Sequence, residues 1–172
     1  MPSSVVRFCL AVLALGLFAG PAVAEEPRKI AILDIELLDT SLGGEMNGGK
    51  DKPELARVAM LGDMLRGYYR DLPAYTVVDT PEMRAQGQTH NLQSCGGCDV
   101  TIGRAGGADL VMTGVVQKVS NLILSITLYV RSTETGELVQ MAGTDIRGNT
   151  DESWQHGMRW LARNRLHILP PK

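Results

Sequence analysis

The chain has 172 residues, a net charge of −2 and 44% hydrophobic residues. This length and composition are typical of one globular domain that builds its own core. Because the net charge is slightly negative, the chain lacks the basic field needed to neutralise many phosphates, and nucleic acid is excluded as a main partner.

The amino terminus has the pattern of a secretory signal peptide. Arg7 precedes an apolar run at 8–18, and the small residues at 22–24 form a cleavage site. The run is shorter than the roughly 20 apolar residues of a spanning helix. We therefore predict removal of residues 1–24 and a single mixed α/β domain at 25–172 in the periplasm, without a later membrane span. An uncleaved amino-terminal anchor is the alternative.

The first half of the predicted domain alternates strands and helices. A nearly continuous apolar run at 29–38 is typical of a strand that is covered on both faces. The glycine-rich segment 39–52 predicts a flexible loop. Pro53 is suited to the first turn of a helix, and apolar residues then recur at helical spacing as far as Tyr69. Residues 75–79 predict a short strand.

The second half predicts a meander of three strands between helices. Its clearest signal is the strict alternation of apolar and other residues at 122–131, which is typical of a half-buried strand. Asn149, with Glu152 three residues later, resembles the capping box that opens a helix. The other predicted elements are one or two helical turns within 81–92, a helix at 98–105 and strands at 110–119 and 138–146.

This element order predicts the α/β class in its mixed α+β form. The two helical crossovers favour parallel neighbouring strands, whereas the meander favours antiparallel ones. We therefore expect one mixed β-sheet of about five strands with helices packed on it, in the order β-α-β-α-β-β-β-α.

Cys95 and Cys98 are the two cysteines that follow the predicted leader. An even count in an exported protein favours a disulfide, and the two intervening glycines ease the turn between the sulfurs. A structural disulfide is therefore predicted. One alternative is a redox pair at the start of a helix. A metal site would need His90 and Asp99 as further ligands, and since only three N or S donors are present, no metal is predicted.

Motifs for common enzyme chemistry are absent from the sequence. It contains no GxSxG, HExxH, P-loop or dinucleotide fingerprint. The sequence therefore predicts no catalytic residues and no cofactor, and it favours a non-enzymatic binding or accessory protein.

Segment 145–154 is dense in polar side chains and ends in a tryptophan. One interpretation is a turn between a strand and a helix, with the tryptophan packed inward. The other is a recognition surface, extended by the turn near 118–121, because Trp and Arg are favoured anchors at interfaces. This candidate interaction surface, for an envelope protein or a small ligand, consists of Lys118, Asn121, Arg147, Asn149, Asp151 and Trp154.

Two segments resemble the signatures of a family of small secreted bacterial proteins that is known as a domain of unknown function. They are 118–124, with the sequence KVSNLIL, and 145–154, with the sequence DIRGNTDESW. The resemblance covers nearly the whole predicted domain. It implies an envelope location and an architecture rather than a chemistry, and it implies an association with quinoprotein alcohol oxidation.

A weaker, fold-level similarity extends to the amino-terminal domain of TolB and to the periplasmic domain of the curli secretion channel. It rests on the patterns at 30–34, 75–79, 107–114 and 135–137. Those are envelope binding domains, so the similarity implies a binding role. The alternative function, a thiol-disulfide redox protein that uses Cys95 and Cys98, is independent of this pattern.

Overall fold

The computed structural model describes residues 26–48 and 52–166. The predicted signal peptide at 1–24 lies outside these residues. The elements in chain order are β1 (Arg28–Asp39), α1 (Leu42–Asn47), α2 (Lys52–Arg70), β2 (Tyr75–Val78), α3 (Pro81–Gln88), α4 (Cys98–Ala105), β3 (Leu110–Lys118), β4 (Leu124–Ser132), β5 (Leu138–Ile146) and α5 (Asp151–Asn164).

The strands form one sheet in the order β2-β1-β3-β4-β5. β1 pairs in parallel with β2 and β3, whereas β4 pairs antiparallel with β3 and β5. The register of β1 against β3 shifts between Ile32 and Ile35. The predicted class, a mixed five-stranded sheet with packed helices, is therefore confirmed.

Helices pack on both faces of the sheet, which explains why β1 is apolar almost throughout. On one face, α2 and α5 bury Leu61, Leu65 and Met158 against the sheet. On the other face, α3 and α4 bury Met83 and Ile102 in a second, smaller cluster. The strands in the centre of the sheet thus lie between two apolar layers, as the continuous apolar run of the first strand predicted.

A short helix occupies part of the segment that we expected to be a loop. Within 39–52, α1 is opened by Ser41, whose Oγ accepts a hydrogen bond from the Gly44 N–H at 3.1 Å. Asp39 in turn accepts hydrogen bonds from the N–H and the hydroxyl of Ser41. Glycine has a low helix propensity, and the glycine-rich composition of this segment therefore predicted a loop. The local cap at Ser41 offsets that low propensity.

Two other predicted boundaries are wrong by one or two residues. β4 begins at Leu124 instead of residue 122, because Ile123 turns back and its carbonyl accepts the N–H of Val119 at 3.0 Å. The cap of α5 is Thr150, whose hydroxyl accepts the N–H of Ser153, and not Asn149. The side chain of Asn149 is thereby left for contacts with other elements.

Candidate functional site

The site is formed at the carboxyl ends of β1 and β3, where the chain changes direction across the sheet. β1 lies between β2 and β3 in the sheet. The chain runs from β1 to its neighbour β2, and then crosses over to β3, the neighbour of β1 on the opposite side. Open α/β sheets bind their ligands in the crevice at such a switch point. The two strands end there at Asp39 and Lys118, which are paired residues in the parallel register.

Lys118 forms two ion pairs in this crevice. Its Nζ lies 3.0 Å from Asp39 Oδ2 and 2.5 Å from Glu54 Oε1, and Glu54 lies in the first turn of α2. The side chain of Lys118 is 6% exposed and those of both carboxylates are 1% exposed. Buried charges are tolerated only when they are paired. Each of these three side chains therefore depends on the other two for its place in the core.

The pKa values of two members reflect this pairing. Burial raises the pKa of the Asp39 carboxyl, but hydrogen bonds from Ser41 and Lys118 outweigh burial and hold it below its usual range. Burial lowers the pKa of the Lys118 ammonium, but hydrogen bonds to Glu54 and Asp39 hold it above its usual range. Both groups are therefore charged at neutral pH.

Asn149 connects this cluster to the final helix. Its amide nitrogen donates to Glu54 Oε1 and, at 3.3 Å, to Asn121 Oδ1 in the turn after β3. Its carbonyl oxygen accepts the indole N–H of Trp154 at 3.1 Å. A single amide thus connects the start of α2, the turn between β3 and β4, and α5.

Arg57 completes the cluster at its outer side. It donates from Nη1 to Asn149 Oδ1 at 3.1 Å and from Nε to Asp151 Oδ1 at 2.6 Å. Its guanidinium lies 5.9 Å from the centroid of the Trp154 ring, within cation–π range. We call the whole set the Glu54 network; its members are Asp39, Glu54, Arg57, Lys118, Asn121, Asn149, Asp151 and Trp154.

A cavity of about 410 Å³ opens beside the network, between α1 and the turn that follows β3. Its lining includes polar groups of Ser41, Asn47 and Ser120 in addition to Asp39 and Lys118. Four large apolar side chains on the same two segments point into solvent. We call them the apolar rim: Leu42, 74% exposed; Met46, 78%; Leu122, 72%; and Ile123, 61%.

Gly44 allows α1 to approach β1 closely enough to close this cavity. A Cβ at Gly44 would lie 2.8 Å or less from three atoms of Asp39, including its Cγ. Because Lys118 and Ser41 fix the Asp39 side chain, it cannot move aside. Gly44→Ala should lower the free energy of unfolding by about 1–3 kcal/mol, as overpacking does. Chemical denaturation of the purified variant measures this change.

Gly43 provides the matched control, because a Cβ there would meet its nearest neighbour, Ser41 Oγ, at 3.8 Å. Gly43→Ala should leave stability unchanged or raise it by up to about 1 kcal/mol, since alanine is the better helix former. Equal effects of the two substitutions would contradict the close approach of α1 to Asp39.

The structure brings together five of the six residues of the predicted interaction surface. Asn121 and Asp151 are exposed and Asn149 is partly exposed. Lys118 and Trp154 are 5% and 0% exposed, which agrees with the interpretation of 145–154 as a turn whose tryptophan packs inward. The recognition surface itself stays a prediction. The ammonium of Lys118 and the indole N–H of Trp154 are both satisfied inside the Glu54 network.

Arg147 lies apart from the other five. It is exposed and lines a separate open depression between the end of β5 and α5. Sequence reasoning also missed Asp39, Glu54 and Arg57. A detectable signal existed for Asp39 and Lys118, because opposite charges that end two neighbouring parallel strands meet at one edge of the sheet.

The cysteine pair lies on the other side of the sheet, at the start of α4. Cys95 and Cys98 form a disulfide with their Cα atoms 5.6 Å apart. The N–H of Cys98 donates to Cys95 Sγ at 3.2 Å. His90 instead turns its Nδ1 to Gln86 O and to the hydroxyl of Thr89.

Residues 26–48 and 52–166 contain neither a metal-binding cluster nor a membrane-spanning helix. In these ranges, no three His, Cys, Asp or Glu side chains converge as a metal site would require. Over the same ranges, none of the helices has the length and apolar character of a membrane span.

Comparison of sequences identifies a family. Residues 28–166 match the model of the family DUF3280, which is described as a protein of unknown function (DUF2380). The match confirms the resemblance to a family of unknown function that segments 118–124 and 145–154 had indicated. No curated protein matches the chain at a significant level.

Comparison of structures identifies similar folds at low sequence identity. The NMR structure of LpoB from E. coli has a TM-score of 0.50 and 13% identity, over 87% of this chain and 84% of that chain. A PelC dodecamer from Paraburkholderia phytofirmans has a TM-score of 0.50 and 11% identity, over 80% and 88% of the two chains. TolB from Acinetobacter baumannii has a TM-score of 0.45 and 12% identity, over 82% of this chain and 30% of that chain.

These likenesses concern the fold alone. TolB, to which the sequence predicted a weak fold-level similarity, is among the similar structures. The similarity to the curli secretion channel stays a prediction.

Proposed function

The chain belongs to the DUF3280 family, and from the geometry of its site we propose that it is a non-enzymatic binding protein of the cell envelope. It docks another envelope protein through the apolar rim, Leu42, Met46, Leu122 and Ile123. The periplasmic location rests on the leader pattern at 1–24 and on the disulfide, which persists in oxidising compartments. An association with quinoprotein alcohol oxidation is the pathway that we propose for it.

The exposure of the apolar rim is the observation that carries the proposal. Four large apolar side chains, each more than 60% exposed, lie on the two segments that line one cavity, and Leu42 itself belongs to the lining. Exposed apolar side chains that cluster among polar groups are typical of protein–protein interfaces. The hydroxyls and amides of Ser41, Ser120 and Asn121 provide such a polar border.

The buried network makes this surface rigid before a partner arrives. Thr40 donates from its N–H to the carbonyl of Lys118 at 2.9 Å, so the segment that leads to α1 is attached to the end of β3. Asn149 attaches the following turn to α5 through Asn121. A preformed surface loses less conformational freedom on binding, which favours affinity.

Site-specific cross-linking tests the proposal in its native compartment. A photoreactive amino acid at position 123 should cross-link to one envelope protein, which mass spectrometry identifies. Against that purified partner, Leu122→Asp/Ile123→Asp should weaken binding by at least about tenfold, since two apolar contacts are replaced by charges. Trp160→Asp is the matched control, because Trp160 is a large apolar residue that is 38% exposed on α5, outside the rim.

The docking proposal fails if position 123 gives no adduct or if the control variant weakens binding as much as the rim variant.

The second candidate function is that of a thiol-disulfide redox protein that uses the cysteine pair. The N–H of Cys98 favours a thiolate at Cys95 at the start of α4. Cys95→Ser/Cys98→Ser distinguishes the two functions. A docking protein should keep its partner binding at a stability loss of about 2 kcal/mol, whereas a redox protein should lose all thiol-disulfide exchange.

A further inference from the structure

The β5 strand leaves one long edge of the sheet unpaired among the described residues. It has nine residues, contains neither lysine nor proline, and carries only Asp145 as a charge. Edge strands are normally protected by shortness, lysine or proline, because their free N–H and C=O groups pair with other chains. The opposite edge, β2, has four residues and is protected by its shortness. β5 has none of these three devices, and its one irregularity is a register shift against β4 at Val139, near its amino-terminal end.

The exposed positions of β5 include two large apolar side chains and an unexplained glycine. Val139 is 41% exposed and Met141 is 61% exposed. A Cβ at Gly143 would meet its nearest neighbours, the Ile126 carbonyl oxygen and the Thr127 side chain, at 3.5 Å, which is ordinary contact. Packing inside the chain therefore does not require this glycine. A glycine within a strand weakens it, and it often marks the close approach of another chain segment.

Opposite charges flank the two ends of β5. Glu137 precedes the strand and Arg147 follows it, and both are exposed. The Arg147 side chain has no hydrogen bond or ion pair to any residue in the described ranges. A two-fold axis that pairs β5 antiparallel with its own copy can therefore bring each Arg147 to the Glu137 of the second copy.

Charge selects one register of such a pairing. With Ala142 opposite Ala142, Glu137 lies near Arg147 of the second copy at both ends. A register centred on Met141 would place Glu137 opposite Asp145, and like charges opposite each other are unfavourable.

The same register explains the glycine. When Ala142 is central, Met141 of each copy lies opposite Gly143 of the other, and the missing side chain gives the methionine room. We propose that two copies of this chain pair edge to edge through β5, antiparallel and centred on Ala142, so that one sheet continues across a two-fold dimer. This surface is distinct from the apolar rim, so the two proposals can fail separately.

Charge reversal tests the register in the purified protein. Sedimentation equilibrium should show a dimer, and Glu137→Arg or Arg147→Glu alone should raise its dissociation constant at least about tenfold, because each change affects both ends. The double reversal Glu137→Arg/Arg147→Glu should restore the dimer. Glu82→Arg on α3 reverses an exposed acidic residue elsewhere and should have no effect.

Cysteine cross-linking distinguishes the registers directly. Residues opposite each other in a sheet have Cβ atoms about 4.5–5.5 Å apart, which is close to the geometry of a disulfide. Met141→Cys/Gly143→Cys should therefore form an intermolecular disulfide on oxidation, whereas neither single variant should. Efficient cross-linking of either single variant would place the axis at that residue and overturn the register.

Two results would overturn the dimer itself. One is a monomer at all concentrations, with β5 amides that exchange rapidly with solvent. The other is a monomer whose β5 amides are protected from exchange, which would show that another segment of this chain covers the edge. A dimer that is indifferent to both single charge reversals would place the interface elsewhere.

Discussion

Replacement of Lys118 by methionine is expected to lower the free energy of unfolding by about 3–5 kcal/mol. The ammonium lies 3.0 Å from Asp39 Oδ2 and 2.5 Å from Glu54 Oε1, and all three side chains are nearly inaccessible to solvent. Methionine keeps the apolar stem but leaves two buried carboxylates without their cation. Urea denaturation followed by circular dichroism measures the loss.

A surface ion pair provides the control for this prediction. Arg70 pairs with Asp79 at 3.3 Å but is 56% exposed, so Arg70→Met should cost less than about 1 kcal/mol. Neutralising the partners as well, in Lys118→Met/Asp39→Asn/Glu54→Gln, should recover part of the stability, because no unpaired charge then remains buried. A loss for Lys118→Met no larger than that for Arg70→Met would contradict the importance of the buried pairs.

The same cluster predicts how the stability difference depends on pH. Because the folded-state pKa of Asp39 is lowered, its contribution is present above the unfolded value of about 3.9 and is lost as the pH falls through the folded value. Because the pKa of Lys118 is raised, its contribution is present below about 10.4 and is lost as the pH rises through the folded value. The gap between wild type and Lys118→Met should therefore be widest between these limits.

The fold could be predicted from sequence because its signals are local. The apolar run that begins at Ile30 and the alternation at 122–131 determined strand type, and the order of crossovers and hairpins determined which strands are parallel. The error at α1 has a local cause of a different kind. A hydroxyl cap at Ser41, itself held by Asp39, stabilises a short helix in a glycine-rich segment, and composition does not reveal such a cap.

The site could be predicted only in part, because its contacts join distant segments. Asn149 resembled a helix cap on local grounds, yet its amide donates to Glu54, which is 95 residues away, and a cap one residue later opens α5. Likewise, Lys118 resembled a surface residue because lysine is rarely buried unless it is paired. Its partners Asp39 and Glu54 lie on a strand and a helix that only the tertiary fold brings together.

The proposed docking function assigns different roles to the buried and the exposed residues of this site. The signature segments 118–124 and 145–154 contain buried connectors such as Lys118 and Trp154, while the exposed apolar side chains of Leu122 and Ile123 are the proposed contact area. Substitution of a connector should therefore act first on stability, whereas substitution of Leu122 or Ile123 should act on binding without destabilising the chain. Measuring both quantities for each variant distinguishes the two roles.

Trp154→Ala is expected to lower the free energy of unfolding by about 3–5 kcal/mol, as truncation of a buried aromatic residue does. Trp154 is 0% exposed, it packs in the core between α2, α5 and the sheet, and its indole N–H donates to Asn149 at 3.1 Å. Trp154→Phe keeps most of the buried apolar area and removes the donor. It should therefore cost only about 1–2 kcal/mol, the scale of a buried hydrogen bond.

Trp160 allows the two contributions of Trp154 to be assigned, because it lies on the same helix and is 38% exposed. Its ring contacts Arg165, whose guanidinium carbon lies 5.4 Å from the ring centroid, so Trp160→Ala should cost about 1 kcal/mol. Thermal and urea denaturation of the three variants should give the largest loss for Trp154→Ala. If Trp154→Phe were as damaging as Trp154→Ala, the hydrogen bond to Asn149 rather than apolar burial would be the main contribution of this residue. Equal losses for Trp154→Ala and Trp160→Ala would instead contradict the burial of Trp154 in the core.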